Sequence, residues 1–198
     1  YGLTVATQFV QAGLYQRVLV IGAETLSKIL DWTDRNTCVL FGDGAGAAVI
    51  GPVPAGYGVL GVELGADGHG GELLKMPAGG SRRPPSAETV AQRLHFVHMN
   101  GNEVFKFAIK VMGEAAQKAL QKAGMTDADV DYLIPHQANI RIIQSAAKRL
   151  QLPMEKVHVN VDRYGNTSAA SIPIALEEAV LEGKVKNGDK LVLVGFGA

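Results

Sequence analysis

A single cysteine, Cys38, occurs among 198 residues, which excludes an intrachain disulfide framework and a Cys-rich zinc site and fits a reducing, cytoplasmic setting. Net charge is also missing: 19 Lys and Arg balance 19 Asp and Glu. No overall field therefore recruits nucleic acid or an anionic membrane, and a charge-driven partner has to use a local patch. There is no run of eighteen apolar residues and no signal-like start. Heptad arrays, low-complexity tracts and short-period repeats are absent too. An initiating Met is lacking: "YGLTVATQFV" begins as if inside a helix, and "KLVLVGFGA" stops at a strand with a Gly-rich turn. The chain is expected to be an internal fragment.

What is present is apolar material, 47% of the residues, enough for one large core or two modest ones in a globular α/β protein. Residues 2–13 fit a helix stopped by Gly13, and "RVLVIGAET" (17–25) reads as a strand covered on both faces. "TCVLFGDGAGAAVIG" (37–51) has two apolar runs split by Gly42-Asp43-Gly44, and "GYGVLGVELGA" (56–66) alternates like a strand with one exposed face. Residues 67–90 carry loop chemistry. A long helix is predicted from Gly101 to Gly124, with Phe105, Ile109, Met112 and Ala116 inward. "TDAD" (126–129) resembles a capping arrangement before a strand at 131–134. A helix over 139–150, an apolar "KVHVNV", a helix over 167–182 and a strand at 190–196 follow. This alternation predicts a mostly parallel, helix-covered sheet.

Three places share one pattern, in which a strand gives way to a polar or Gly-rich turn: Pro135-His136-Gln137-Ala138-Asn139, Tyr164-Gly165-Asn166-Thr167-Ser168 and Gly195-Phe196-Gly197-Ala198. Ligands in open α/β sheets collect at the carboxyl ends of strands, so His136 and Asn166 are candidates to meet. By residue type alone, His136 reads more readily as a satisfied loop or core histidine, and Asn166 as a turn or cap residue, than as catalytic groups. "FGDGAGAA" lacks the Lys-Ser/Thr of a phosphate loop and reads as a close backbone crossing permitted by glycine. Cys38 lies in an apolar run and is read as packing rather than as a nucleophile.

"PHQANIRI", "DRYGNTSAASIPIAL", "LFGDGAGAAV", "MNGNEVFKFA" and the closing "GFGA" together resemble β-ketoacyl-acyl-carrier-protein synthase III, the initiating condensing enzyme of bacterial fatty acid synthesis. The resemblance implies a thiolase-like fold, α/β and layered αβαβα with two similar halves. Residues 1–60 would be the C-terminal part of the first half and 61–198 a nearly complete second half. It also implies an acyltransferase that joins an acyl-CoA primer to malonyl-acyl carrier protein by decarboxylative Claisen condensation. It implies a homodimer, no nucleic-acid or membrane partner, no metal and no cofactor, since CoA thioesters and the carrier's phosphopantetheine are substrates.

Residue by residue, His136 matches the family's catalytic His and Asn166 its Asn. The nucleophilic Cys matches nothing in the chain and is expected just upstream of Tyr1, so these residues alone are expected to be inactive. The backbone amide of Ala198 matches a second oxyanion donor. Asn139 matches an asparagine that orders the site, and it is also readable as a helix N-cap. Phe196 matches an aromatic beside the nucleophile or packs in the core, and Leu26 and Leu40 match acyl-pocket positions or serve the core. Arg35 matches a CoA-contacting arginine or is an ordinary loop residue. Arg141, with Lys148 and Arg149, matches a basic docking face for the acidic carrier, against a plain solvated helix face. Alternatives of other kinds are a non-catalytic thiolase-fold partner subunit and a related CoA-dependent condensing enzyme, chalcone-synthase-like or hydroxymethylglutaryl-CoA synthase-like.

Overall fold

The computed structural model describes residues 1–197. Two sheets matter for the site, and one helix lies between them. The first is antiparallel: β1 (Val18–Thr25) pairs with β2 (Asp43–Ile50), from Val18 opposite Ile50 to Thr25 opposite Asp43. The second is parallel: β5 (Tyr132–Pro135) runs beside β6 (Leu191–Val194), and Val157 bridges to Leu133 on β5's other flank. A minor pair, β3 (Leu74–Lys75) with β4 (His98–Met99), is antiparallel. The predicted mostly parallel sheet is thus corrected to a mixed arrangement. β1 and β2 are joined by a connection whose only regular piece is a 3-10 turn at Leu26–Ile29, whereas α4 (Ile140–Arg149), the short α5 (Val161–Tyr164) and α6 (Ser171–Leu181) intervene between β5 and β6 as a parallel pair requires.

β5 is buried along its whole length. Leu133 joins Met112, Ala116, Ile143 and Leu150 in the core under α3 (Gly101–Lys122) and α4, while Tyr132 and Ile134 point the other way, onto Ala175 and Ala179 of α6. Helix α6, "SIPIALEEAVL", has apolar residues around most of its circumference because a sheet lies on each side of it. Its second neighbour is β2. A Cβ added to Gly44 would sit 2.9 Å from Ile174 Cδ1, one on Gly46 2.8 Å from Pro173 Cβ, and one on Gly22 2.5 Å from the Ala169 carbonyl oxygen. The glycines of "GDGAGAA" thus allow the close crossing their spacing predicts.

Several local readings need correction. β1 is not covered on both faces: its burial alternates, and Leu19 and Ile21 are 59% and 62% exposed. Residues 37–40 form a turn, not a strand, because Asp34 accepts from the amides of Asn36, Thr37 and Cys38 and curls the chain. Residues 56–66 form no strand; this segment runs beside α3, with Gly61 against Ala119 and Ala123 and Glu63 paired to Lys122. The loop 67–90 contains the start of a short helix, α2 (Ala87–Ala91), entered through a capping box at Ser86 and Thr89. Helix α3 starts at the Asn100 cap and ends before Gly124, whose φ is 68°. On α4, Ile143, Ala147 and Leu150 of the inward stripe expected at Ile140, Ile143, Ala147 and Leu150 are buried, together with Ile142 and Ala146, whereas Ile140 is 40% exposed. No helix among the described residues is long and apolar enough to cross a membrane.

Candidate active site

The end of β5 sets the first group. The Pro135 ring closes the ladder, and the His136 amide still donates to Val194 O at 2.8 Å, which aims the side chain out of the strand end. His136 is 7% exposed, and its Nδ1 lies 2.5 Å from Ser171 Oγ, the first residue of α6. Phe196 meets the imidazole edge to face at 5.5 Å, and a Cβ on Gly195 would sit 3.3 Å from His136 Cβ. Two of the three sequence-predicted turns, those after β5 and β6, therefore meet at this histidine, with the start of α6 beside them. Burial pushes its pKa down to about 4, so at neutral pH the ring is uncharged and each nitrogen has one fixed role.

The Ser171 hydroxyl is able both to donate and to accept; where it donates to Nδ1, the proton of the neutral ring sits on Nε2, a hydrogen-bond donor. Sequence reading missed Ser171: in "GNTSAAS" it is one small polar residue among several, and its partner is thirty-five positions away.

Asn166 is held by backbone. Its amide donates to Leu40 O and its carbonyl accepts from Gly42 N, both at 2.9 Å. The two segments approach so closely that a Cβ on Gly42 would lie 2.0 Å from Tyr164 O. Gly165 next to it takes φ 66°. Asn166 Oδ1 accepts from the Ser168 amide at 2.9 Å, so the side chain's remaining polar group is the Nδ2 donor. Ser168 sits at φ 49°, a left-handed conformation uncommon away from glycine, and the strain falls in the turn between Asn166 and Ser171.

The remaining candidates divide. Asn139 is the N-cap of α4, its Oδ1 accepting from the Arg141 amide at 2.8 Å. Leu40 lends Asn166 its carbonyl, and Leu26 opens a 3-10 turn, half-buried. Arg35 is exposed in a loop that is tied down at Asp31 by Arg93; that hydrogen-bonded guanidinium holds the Asp31 carboxyl well below the usual range. Arg141 and Lys148 are exposed on α4. Arg149 is engaged elsewhere: its stem crosses Gly113 of α3, and its head reaches Gln117 Oε1 at 3.3 Å and Glu114 at 3.6 Å. Cys38 is half-buried in the 37–40 turn. Ala198 lies outside the described residues. No group of three or more His, Cys, Asp or Glu able to hold a metal occurs among the described residues.

The family model for 3-oxoacyl-(acyl-carrier-protein) synthase III matches residues 1–68, and that for the same enzyme's C terminal matches residues 120–198. The chain belongs to the β-ketoacyl-acyl-carrier-protein synthase III family. It is 63% identical over 198 residues to the family member of that name from Caldanaerobacter subterraneus subsp. tengcongensis and 61% over 197 residues to that of Clostridioides difficile. Each match takes in 100% of this chain and 60% of the relative, so the chain spans about three fifths of the length of the curated relatives it matches. The solved structure of the Thermus thermophilus synthase III superposes with a TM-score of 0.90 at 52% identity, over 100% of this chain and 60% of that one. The fold is the family's thiolase-like α/β arrangement, and none of these likenesses favours the alternatives weighed above.

Proposed function

We propose that the whole protein joins an acyl-CoA primer to malonyl-acyl carrier protein, the condensation that starts fatty acid synthesis. A cysteine thiolate attacks the acyl-CoA thioester and CoA leaves as its thiol, giving an acyl-enzyme. Malonyl on the carrier then loses CO₂. The electron pair left behind forms the enolate of the carrier thioester, which attacks the acyl group, forms the carbon–carbon bond and expels the thiolate.

The observation that carries this reading is the buried, uncharged His136 ring with its Nδ1 against the Ser171 hydroxyl; with that hydroxyl donating, Nε2–H is the ring's donor. Decarboxylation builds negative charge on a thioester oxygen. A neutral N–H donor and the Asn166 amide stabilise it without adding a cation that the buried site would have to solvate. Each preorganised donor is worth about 3 kcal/mol. The Ala198 amide would serve the acyl oxygen. Arg35 would meet CoA, and Leu26, Leu40 and Phe196 would line the acyl end of the site. The assembly is read as a homodimer that needs no cofactor beyond its thioester substrates.

The test uses the protein at the relatives' full length. His136→Ala and Asn166→Ala should each slow malonyl-carrier decarboxylation about a hundredfold or more while acylation by acyl-CoA persists. Loss of acylation with decarboxylation intact would refute the reading. Arg141→Glu should weaken use of the carrier substrate, with the defect blurred by salt, and spare acylation by small acyl-CoA. Equal loss of both half-reactions would make Arg141 a structural residue. The 198 residues by themselves should transfer no acyl group, and iodoacetamide should label Cys38 slowly; rapid labelling accompanied by acyl transfer would show the opposite.

A further inference from the structure

Gln137, directly after His136, is 1% exposed and fully used: its Nε2 donates to Pro135 O at 2.9 Å and His158 O at 3.1 Å, and its Oε1 accepts from the Asn160 amide at 2.9 Å. The strand end that carries His136 is therefore pinned to the 158–160 segment. That segment is pinned in turn to α6. Glu178, with its side chain only 15% exposed, accepts from Asn160 Nδ2 at 2.7 Å, Arg163 Nη2 at 2.8 Å and Tyr164 OH at 2.6 Å, and lies 3.3 Å from His158 Nε2.

A carboxylate offers only acceptors, so all four neighbours have to be donors, and His158 carries its proton on Nε2. His158 Nδ1 is left buried with no partner. That orphaned acceptor disfavours the local structure, and a residue serving only to fill space would avoid it. Burial opposes ionisation of Glu178, yet the hydrogen bonds from Tyr164, Asn160 and His158 outweigh it and leave the pKa below the ordinary value.

The bonds run from His136 through Gln137, Asn160 and Glu178 to Tyr164, and Tyr164 is two residues before Asn166. Two helical turns before Glu178, the same helix supplies Ser171 to the His136 ring. We propose that Glu178 is a positioning residue that clamps the Asn166 turn against the His136 strand end, so that two donors belonging to different loops face one oxyanion. The inference rests on the condensing reaction proposed above and deepens it. Glu178 itself need never touch substrate.

In the protein at the relatives' full length, Glu178→Gln keeps the shape but replaces one acceptor oxygen with a donor NH₂, which has to face a donor already in place. It should lower kcat for malonyl-carrier decarboxylation about tenfold, since misplacing donors by a fraction of an ångström is enough for that. KM for the carrier substrate and the rate of acylation by acyl-CoA should stay within about twofold, because neither depends on the pairing of the two donors. Tyr164→Phe removes one bond from a 40% exposed ring and should give a smaller loss in the same step, so it carries the test if the glutamine variant does not fold. Glu178→Asp should recover part of the rate. Equal losses in both half-reactions, or no loss in either variant, would overturn the clamp and leave the condensing activity standing. An unaltered full-length protein that neither acylates nor decarboxylates would overturn both readings.

Discussion

The β1–β2 sheet and the β5–β6 sheet flank the same helix yet bury different amounts of themselves. Ile134 on β5 is 0% exposed between α6 and the parallel neighbour, whereas Ile21 on β1, the same residue type in the same kind of element, is 62% exposed. One face of β1–β2 meets α6 through glycines, and the other presents Leu19, Ile21 and Val49. The two residues proposed as donors lie along this divide. His136 belongs to the fully buried sheet, and Asn166 is strung by backbone bonds to Leu40 and Gly42 at the mouth of the half-covered one. The proposed site geometry therefore depends on the seam between two regions of unequal burial, and helix α6 with its Ser171 and Glu178 contacts is what spans it.

The largest expected effect is on the buried side. In the 198-residue chain, Ile134→Ala should cost about 2–5 kcal/mol by denaturant unfolding, because the cavity opens in a layer that cannot collapse from either face. A cost below about 1 kcal/mol would mean that the parallel sheet is no better packed than its neighbour, and the comparison would fail.

The next effect isolates burial of one group. Because burial lowers the His136 pKa from 6.5 to about 4, the unfolded chain binds a proton in that window that the folded chain does not. Stability attached to this residue is thus present above pH 6.5 and is lost as pH falls through 4, by about 3 kcal/mol in full. His136→Gln should flatten the unfolding free energy over that range relative to the unaltered chain. Parallel pH curves for the two would show that the histidine is solvated in the folded state.

Much of the buried region was legible in sequence, for a physical reason. Tyr132-Leu133-Ile134 before Pro135, the α3 stripe of Phe105, Ile109, Met112 and Ala116, and Gly124 after it are local signals, and local signals survive without knowledge of the fold. The place of His136 at a strand end was legible because the apolar run stops at Pro135. Ser171, Gln137 and Glu178 were not, since each is defined by a partner from eighteen to thirty-five positions away. The one-sided β1 was misread because "VLVI" reports what a strand is made of and not what lies over it. The 37–40 turn was misread because the carboxylate and carbonyl of Asp34, three residues upstream, outweigh the apolar run that follows.

Gly42 tests the seam itself. Its missing side chain lets the 40–42 segment reach Tyr164 O, and a methyl group there would be 2.0 Å from that oxygen. Gly42→Ala should cost about 1–3 kcal/mol, less than the cavity at Ile134, and should shift the Asn166 backbone amide resonance, which reports its bond to Leu40. An unchanged Asn166 amide with full stability would mean the two segments do not hold each other.

The smallest effect belongs to the exposed face. Ile21→Ala removes the same atoms as Ile134→Ala, but most of them already touch water, so little transfer free energy is lost and no cavity forms. What remains is a loss of β-branching in a strand, below about 1 kcal/mol. The register opposite Ala47 should persist, since the turn at 37–40 and the glycine contacts with α6 are untouched. The comparison sharpens if the cost is measured at several protein concentrations. A cost that is small and independent of concentration means a bare face. One that approaches the Ile134 value and grows with concentration means that other copies cover Leu19, Ile21 and Val49, and the asymmetry between the two sheets would then belong to the isolated chain and not to the protein in solution.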